Sequence, residues 1–171
     1  MRLHRASAAV GALVAWLVLA PAAFARPAQA AEPAPPPRLL WATVNVCNSM
    51  GHPDAVGIRG SMPGTGVRGQ RMFMRFQLQW LHNSNWTFVG PTADSGFEYV
   101  GSARARARQA GYTFTVTSPR KGLYTLRGIV TFQWREAGVV VRHARRTTSA
   151  AHPNTIGSDP AGFSTDICVI G

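Results

Sequence analysis

A nearly regular alternation of apolar and polar residues at 71–81 constrains the fold of this chain more than any other feature. The apolar positions of this stretch are Met72, Met74, Phe76, Leu78 and Trp80. A second stretch, residues 123–135, alternates in the same way and would bury Tyr124, Leu126, Val130, Phe132 and Trp134. A period of two predicts strands of an antiparallel sheet with one buried face.

Shorter stretches with strand composition lie between these two and on either side of them. They cover residues 41–48, 55–60, 86–89, 97–100, 103–108, 112–117, 139–148 and 163–170. Glycine and proline turns separate them, and residues 60–69 and 90–96 are predicted loops. With no long amphipathic helix, the chain is expected to be all-β, an antiparallel sandwich of about seven to nine strands.

Residues 40–171 resemble an immunoglobulin-like or fibronectin type III-like β-sandwich. The resemblance is carried by the overall pattern and by residues 122–126, Gly-Leu-Tyr-Thr-Leu, in which Tyr124 follows a turn at the start of a long late strand. That position is similar to the tyrosine corner of these folds. The resemblance implies a fold and no function, because such sandwiches serve many roles.

The first 30 residues predict a secretory signal peptide. Arg2 and Arg5 precede an uncharged apolar run over residues 6–25, and small-residue cleavage patterns occur at 23–25 and 28–30. The alternative is an uncleaved membrane anchor, since the run approaches the roughly 20 residues that span a bilayer. Pro21 and the two cleavage patterns favour cleavage after Ala30, which predicts a secreted protein with no membrane span in the mature chain.

A proline-rich spacer at residues 31–38 would join the leader to one domain at 39–171. Removal of the leader leaves fifteen basic against seven acidic residues, a net charge of about +8. Lys121 is the only lysine, and the abundance of arginine, alanine and proline indicates a GC-rich, bacterial coding bias. A positive field of this size concentrates anions at the protein surface.

Cys47 and Cys168 are the only cysteines, and both lie in the predicted mature chain. In an oxidising compartment they are expected to form a disulfide that closes a loop of 121 residues. A redox or metal-binding pair is the alternative. It is disfavoured because no Cys-x-x-Cys motif is present and no histidine lies close to either cysteine at ligand spacing.

Two arginine clusters are candidate polyanion-binding sites. The first would form a ladder on one face of a strand, with side chains about 6–7 Å apart; its members are Arg104, Arg106 and Arg108. The second comprises Arg142, Arg145 and Arg146. The alternative is a solvated edge whose charges discourage strand pairing. Aromatic residues do not interleave with either cluster, so we expect no sequence-specific nucleic-acid binding.

The sequence predicts no catalytic residues, metal ligands or cofactor. The candidate groups were His52, Asp54, His82, His143 and His152, and they show no recognised ligand spacing. Ser61 lies in Gly-Ser-Met-Pro-Gly, which does not match a nucleophile elbow. Trp86, Phe97 and Tyr99 could stack on sugars or could close the ends of the core.

These features favour a secreted, non-enzymatic binding or structural module of the bacterial envelope. Its expected partner is an anionic cell-wall polymer or polysaccharide, or another secreted or surface protein. The alternative function is a small secreted enzyme or enzyme inhibitor that acts through the glycine-rich loop at residues 60–69.

Overall fold

The computed structural model describes residues 37–152 and 155–171, so the predicted signal peptide and most of the predicted spacer lie outside the described residues. Short 3-10 turns cover Pro37–Leu39 and Pro91–Ala93. The strands, in chain order, are β1 (Trp41–Ser49), β2 (His52–Pro63), β3 (Arg71–His82), β4 (Asn85–Phe88), β5 (Asp94–Ser102), β6 (Ala107–Thr115), β7 (Tyr124–Glu136), β8 (Val139–Thr147) and β9 (Ile167–Ile170).

The nine strands form two antiparallel sheets, which confirms the predicted all-β sandwich. The smaller sheet has the order β1-β2-β6. In the larger, six-stranded sheet, β3 and β7 pair over ten residues at the centre. β4 and β5 share the free edge of β3, and β8 and β9 share the free edge of β7.

The core lies between the two sheets and is built from the apolar positions of the alternating strands. In β3 and β7 these positions are buried except at one end, where Trp80 and Tyr124 are half-buried. The small sheet contributes Val44, Val56, Ile58 and Met62. Gly60 allows the sheets to approach closely, because a Cβ there would lie 3.1 Å from the side chains of Met74 and Val130.

A disulfide joins the first strand to the last, as predicted. The Cα atoms of Cys47 and Cys168 are 5.4 Å apart, within the reach of about 7 Å that a disulfide requires. Val44 and Thr165 bond to each other through both backbone N–H groups, at 2.9 and 3.1 Å. The two ends of the domain sequence are therefore neighbours.

The C-terminal segment between β8 and β9 covers the outer face of the smaller sheet. We call its described part, residues 149–152 and 155–166, the strap. The Asn45 Nδ2 group donates to the carbonyl of Gly157 at 2.6 Å, and the Ile156 N–H donates to Gln109 Oε1 on β6 at 3.2 Å. The Trp41 ring stacks on His152 with centroids 4.4 Å apart. The strap thus reaches from the β1 edge across to β6.

Several predicted boundaries were wrong. β2 begins at His52, three residues before the strand predicted at 55–60, and includes residues 60–63, the first part of the predicted loop. β2 extends this far because β6 pairs with it from Ala55 to Pro63. Residues 163–166, predicted as strand, belong to the strap. Across the described ranges, no helix has the length and apolar character needed to cross a membrane.

Candidate functional site

The outer face of the six-stranded sheet carries arginine and aromatic side chains in rows across the strands. In antiparallel pairs, residues directly opposite each other point to the same face. The register therefore places these outward residues together: Arg71, Phe73 and Arg75 of β3, Arg127 and Arg135 of β7, Arg145 of β8, and Trp86, Phe97 and Tyr99 of β4 and β5. We call this surface the arginine face.

The arginines of this face lie against aromatic rings. The guanidinium of Arg127 is 4.2 Å from the Trp86 ring centroid, and that of Arg135 is 4.2 Å from Phe73. Arg71 is 5.6 Å from Tyr99. Guanidinium groups within about 6 Å of a ring are attracted to its face, so these contacts fix the orientation of the charged groups.

Glutamine side chains hold two of these guanidiniums further. Arg135 donates from Nε and from its terminal nitrogen to Gln133 Oε1, at 2.9 and 2.6 Å. Arg127 Nε donates to Gln79 Oε1 at 2.9 Å. Because a guanidinium carries five N–H donors, each arginine keeps donors for a ligand after making these bonds.

Arg75, near the centre of this face, is the only one of its arginines with a carboxylate partner among residues 37–152 and 155–171. Arg75 forms an ion pair with Asp94, which also accepts hydrogen bonds from Gln77 and from the backbone of Gly96. The hydrogen bond from Arg75, more than any other contact, lowers the pKa of Asp94 to about 2. Among the described residues, this is the only ion pair between an arginine and a carboxylate.

Two further arginine pairs of this face have no carboxylate partner in the described part of the chain. Arg71 and Arg135 are directly opposite in the register of β3 and β7, where like charges destabilise the sheet. They line a depression of about 340 Å³ together with Phe73 and the turn residues Gly69, Ala137 and Gly138. The second pair is Arg127 of β7 and Arg145 of β8, which lies opposite Thr131, four residues along β7 from Arg127. Burial and, secondarily, the charge of Arg145 lower the pKa of Arg127.

The first predicted arginine cluster does not form a ladder on one strand. Residues 103–106 make the turn that carries the chain from β5 to β6, so Arg104 and Arg106 are exposed on a turn and only Arg108 lies in a strand. Ala103 is fully buried there and anchors the turn. The Arg108 side chain packs over Gly101 of β5. Alanine and arginine have little strand preference, which is why their alternation was misleading.

The second predicted cluster lies on β8, as the sequence suggested, but its members diverge. Arg145 is opposite Thr131 and belongs to the arginine face. Arg142 is on the other side of the strand, 5.4 Å from the Trp134 ring. Arg146 bonds to the backbone carbonyl of Arg145. Arg145 alone therefore joins the outward cluster.

The predicted titratable groups are scattered over the surface. His52 Nδ1 lies 2.9 Å from Asp159, His82 stacks on Trp80, His143 is exposed on β8, and His152 contacts Trp41. Asp54 accepts a hydrogen bond from Ser118. Within residues 37–152 and 155–171, no three histidine, cysteine or acidic side chains come together as a metal site would require.

The glycine-rich segment proved shorter than predicted and is attached to the β5–β6 turn. Ser61 is a buried strand residue. The loop proper, residues 64–70, bonds to that turn from Gly64 N–H to the Arg106 carbonyl and from Gly66 N–H to the Ala103 carbonyl, at 3.0 and 2.9 Å. Its exposed tip ends at Gly69, in the wall of the Arg71–Arg135 depression.

The sequence identified the outward positions of β3 and β7 but did not bring them together as a site. Trp86 and Phe97 are half-buried and Tyr99 is 56% exposed, and all three are on the outer surface instead of closing the core. The sequence signal for this site was the set of arginines at the positions between the buried apolar residues. These are Arg71 and Arg75 in one strand and Arg127 and Arg135 in the other.

Comparisons with protein-family models, curated proteins and solved structures found no match to this chain.

Proposed function

We propose that this protein is a secreted, non-enzymatic binding module whose arginine face binds an extended anionic polymer of the bacterial envelope. The observation that carries the proposal is that two arginine couples, Arg71–Arg135 and Arg127–Arg145, have no carboxylate partner among the described residues. An anion placed within either couple would relieve the repulsion between the two cations. The proposal replaces the Arg104–Arg108 ladder with a different set of residues.

The spacing of the two couples favours a polymer over a small anion. Arg127 and Arg135 are eight residues apart on one strand, which corresponds to about 27 Å. A single carboxylate or phosphate can occupy one couple only. A chain with an anionic group on each repeat unit could reach both, and occupying two sites at once raises the affinity well above that of either.

Arg127 and Arg135 are positioned before any ligand arrives. Their contacts with Phe73, Trp86, Gln79 and Gln133 already limit the rotamers that free arginine side chains would sample. Immobilising a flexible side chain on binding costs about 0.5–1.5 kcal/mol, so the ordered face loses less on binding than free arginines would. The planar fork of each guanidinium suits carboxylate and phosphate oxygens.

Immobilised polygalacturonate and polyphosphate, measured by surface plasmon resonance, test the proposal. We expect saturable binding at about 50 mM NaCl that weakens strongly at about 0.5 M, because salt screens exposed charges. The double variants Arg71→Gln/Arg135→Gln and Arg127→Gln/Arg145→Gln should each lower the affinity at least tenfold. Neutral dextran should not bind.

Arg104→Gln/Arg106→Gln is the matched control, since it removes the same charge from an exposed turn outside the arginine face. Its affinity should stay within about twofold of the unchanged protein. If all three double variants lost affinity equally, binding would depend on net charge alone, and a specific site would be rejected. If only the control variant lost affinity, the binding site would be the turn that carries Arg104 and Arg106.

The immunoglobulin-like or fibronectin type III-like character of the sandwich is also a proposal. Its support is the pair of antiparallel sheets and the place of Tyr124 at the start of β7. The cysteines differ from the antibody arrangement, because they join the first and last strands and not the second and sixth.

A further inference from the structure

The two ends of the sandwich are closed to different degrees. At one end the fully buried Trp134 fills the space between the sheets, and its indole N–H donates to the Pro63 carbonyl at 3.0 Å. The loop at residues 64–70 covers that end. At the other end the sheets separate around a cleft of about 360 Å³, which no comparable side chain of the described residues fills.

The cleft has apolar walls and an uncharged lining. Its walls are Leu78, Trp80, Val89, Ala93, Phe114, Val116, Tyr124 and Leu126, and its hydroxyl groups come from Thr92, Thr115, Thr117 and Tyr124. Leu78, Phe114 and Leu126 are at most 4% exposed, so the cleft extends into the core. Val89 and Thr117 are exposed at its mouth.

Three aromatic rings border this space. Trp80 and Tyr124 meet edge to face with centroids 5.8 Å apart, and Phe114 comes from the opposite sheet. Aromatic groups prefer edge-to-face and offset contacts of this kind, which add about 0.5–1.5 kcal/mol per pair beyond the area buried. The rings therefore favour a planar aromatic ligand over an aliphatic chain of similar size.

We propose that the cleft binds one uncharged aromatic molecule of one or two rings. A charged ligand would lose its hydration without finding an opposite charge in this lining. The volume is at the lower end of the range for small-molecule sites, about 300–1,000 Å³. A threonine hydroxyl can orient one hydroxyl or carbonyl group of the ligand. This site lies between the sheets and is independent of the arginine face.

The probe for the experiment is 2-naphthol, which is uncharged at neutral pH, with binding to the purified full chain measured by isothermal titration calorimetry. We expect saturable binding with one molecule per chain and a rise in melting temperature as the probe concentration increases. The variants Ala93→Leu and Val116→Phe fill the cleft from two different segments. Each should weaken binding at least tenfold.

Val141→Phe is the matched control, because it adds an apolar group to the exposed part of β8, away from the cleft. It should leave the affinity unchanged. Two filling variants are used so that the proposal can still be tested if one of them does not fold. No saturable binding, or binding unchanged in every folded filling variant, would overturn the proposal. Equal or tighter binding of 1-octanol would overturn the aromatic assignment.

Discussion

The two sheets of this domain turn very different outer faces to their surroundings. The outward residues of the smaller sheet include the buried Thr43, Asn45 and Ser61, and the strap bonds to the first two. The outward residues of the larger sheet include arginines, glutamines and aromatic rings, and no segment of the described chain crosses that face as the strap crosses the smaller sheet. The strap thus covers the outer face of the smaller sheet, whereas the arginine face of the larger sheet is accessible.

Arg59 makes the contrast plain, because it is an outward arginine on the covered side. Its guanidinium lies against Gly111 of β6 and near Gly157 of the strap, and its Nε has no hydrogen-bond partner among the described residues. Burial lowers its pKa. On the arginine face, by contrast, the rings and glutamines hold arginine side chains at the surface. A basic residue is thus a better candidate for ligand binding on the open sheet than under the strap.

Removing the disulfide is the change we expect to disturb the covered side most. The bond holds β1 to β9, and the strap begins and ends beside these strands. Reduction, or the Cys47→Ser/Cys168→Ser variant, should cost about 2–4 kcal/mol and lower the melting temperature by about 10 °C. Thermal unfolding followed by circular dichroism, with and without reductant, measures this. An unchanged melting temperature would show that the strap and core hold the terminal strands without the bond.

Releasing one strap contact should have a smaller effect. Asn45→Ala removes the hydrogen bond from Nδ2 to the Gly157 carbonyl at a position only 4% exposed. Leaving that carbonyl unsatisfied should cost about 1–2 kcal/mol in the free energy of unfolding. Urea denaturation measures it, with Thr131→Ala on the arginine face as the control, expected to change stability by less than about 0.5 kcal/mol. If Thr131→Ala lost more unfolding free energy than Asn45→Ala, the smaller sheet would not be the face that depends on covering contacts.

The smallest change in stability is expected when low pH protonates Asp94 on the arginine face. The pKa of Asp94 in the folded protein is about 2, below its usual 3.8, so the Arg75–Asp94 pair stabilises the fold above about pH 4. That contribution is lost as the pH falls towards 2. An unscreened shift of this size corresponds to about 2 kcal/mol, and solvent exposure of Arg75 should reduce it to about 1 kcal/mol.

The comparison between the unchanged protein and Asp94→Asn isolates this pair from the other acids. Their unfolding free energies, measured by urea denaturation between about pH 2 and 5, should differ most above pH 4 and converge near pH 2. A difference that is constant with pH would mean that the carboxylate charge does not stabilise the folded face.

The sequence was sufficient for the features that depend on alternation and on cysteine number. The buried residues of β3 and β7 and the Cys47–Cys168 bond follow from local pattern and compartment chemistry. The strap could not be predicted, because residues 149–166 have no periodicity and their contacts are with β1 and β6, more than 40 residues away in the chain. The arginine face needed the register between strands, which alternation within one strand does not contain.

The edges of the larger sheet have a consequence for self-association. One edge is divided between β4 and β5 by a 3-10 turn, and the other is divided between β8 and β9 by the strap. Register irregularities interrupt β5 and β8, and Arg142, Arg145 and Arg146 add positive charge to the latter. Short, bulged and charged edges are poor templates for pairing with a second chain. The edges of the larger sheet are therefore poorly suited to edge-to-edge pairing, although its outer face is basic and open.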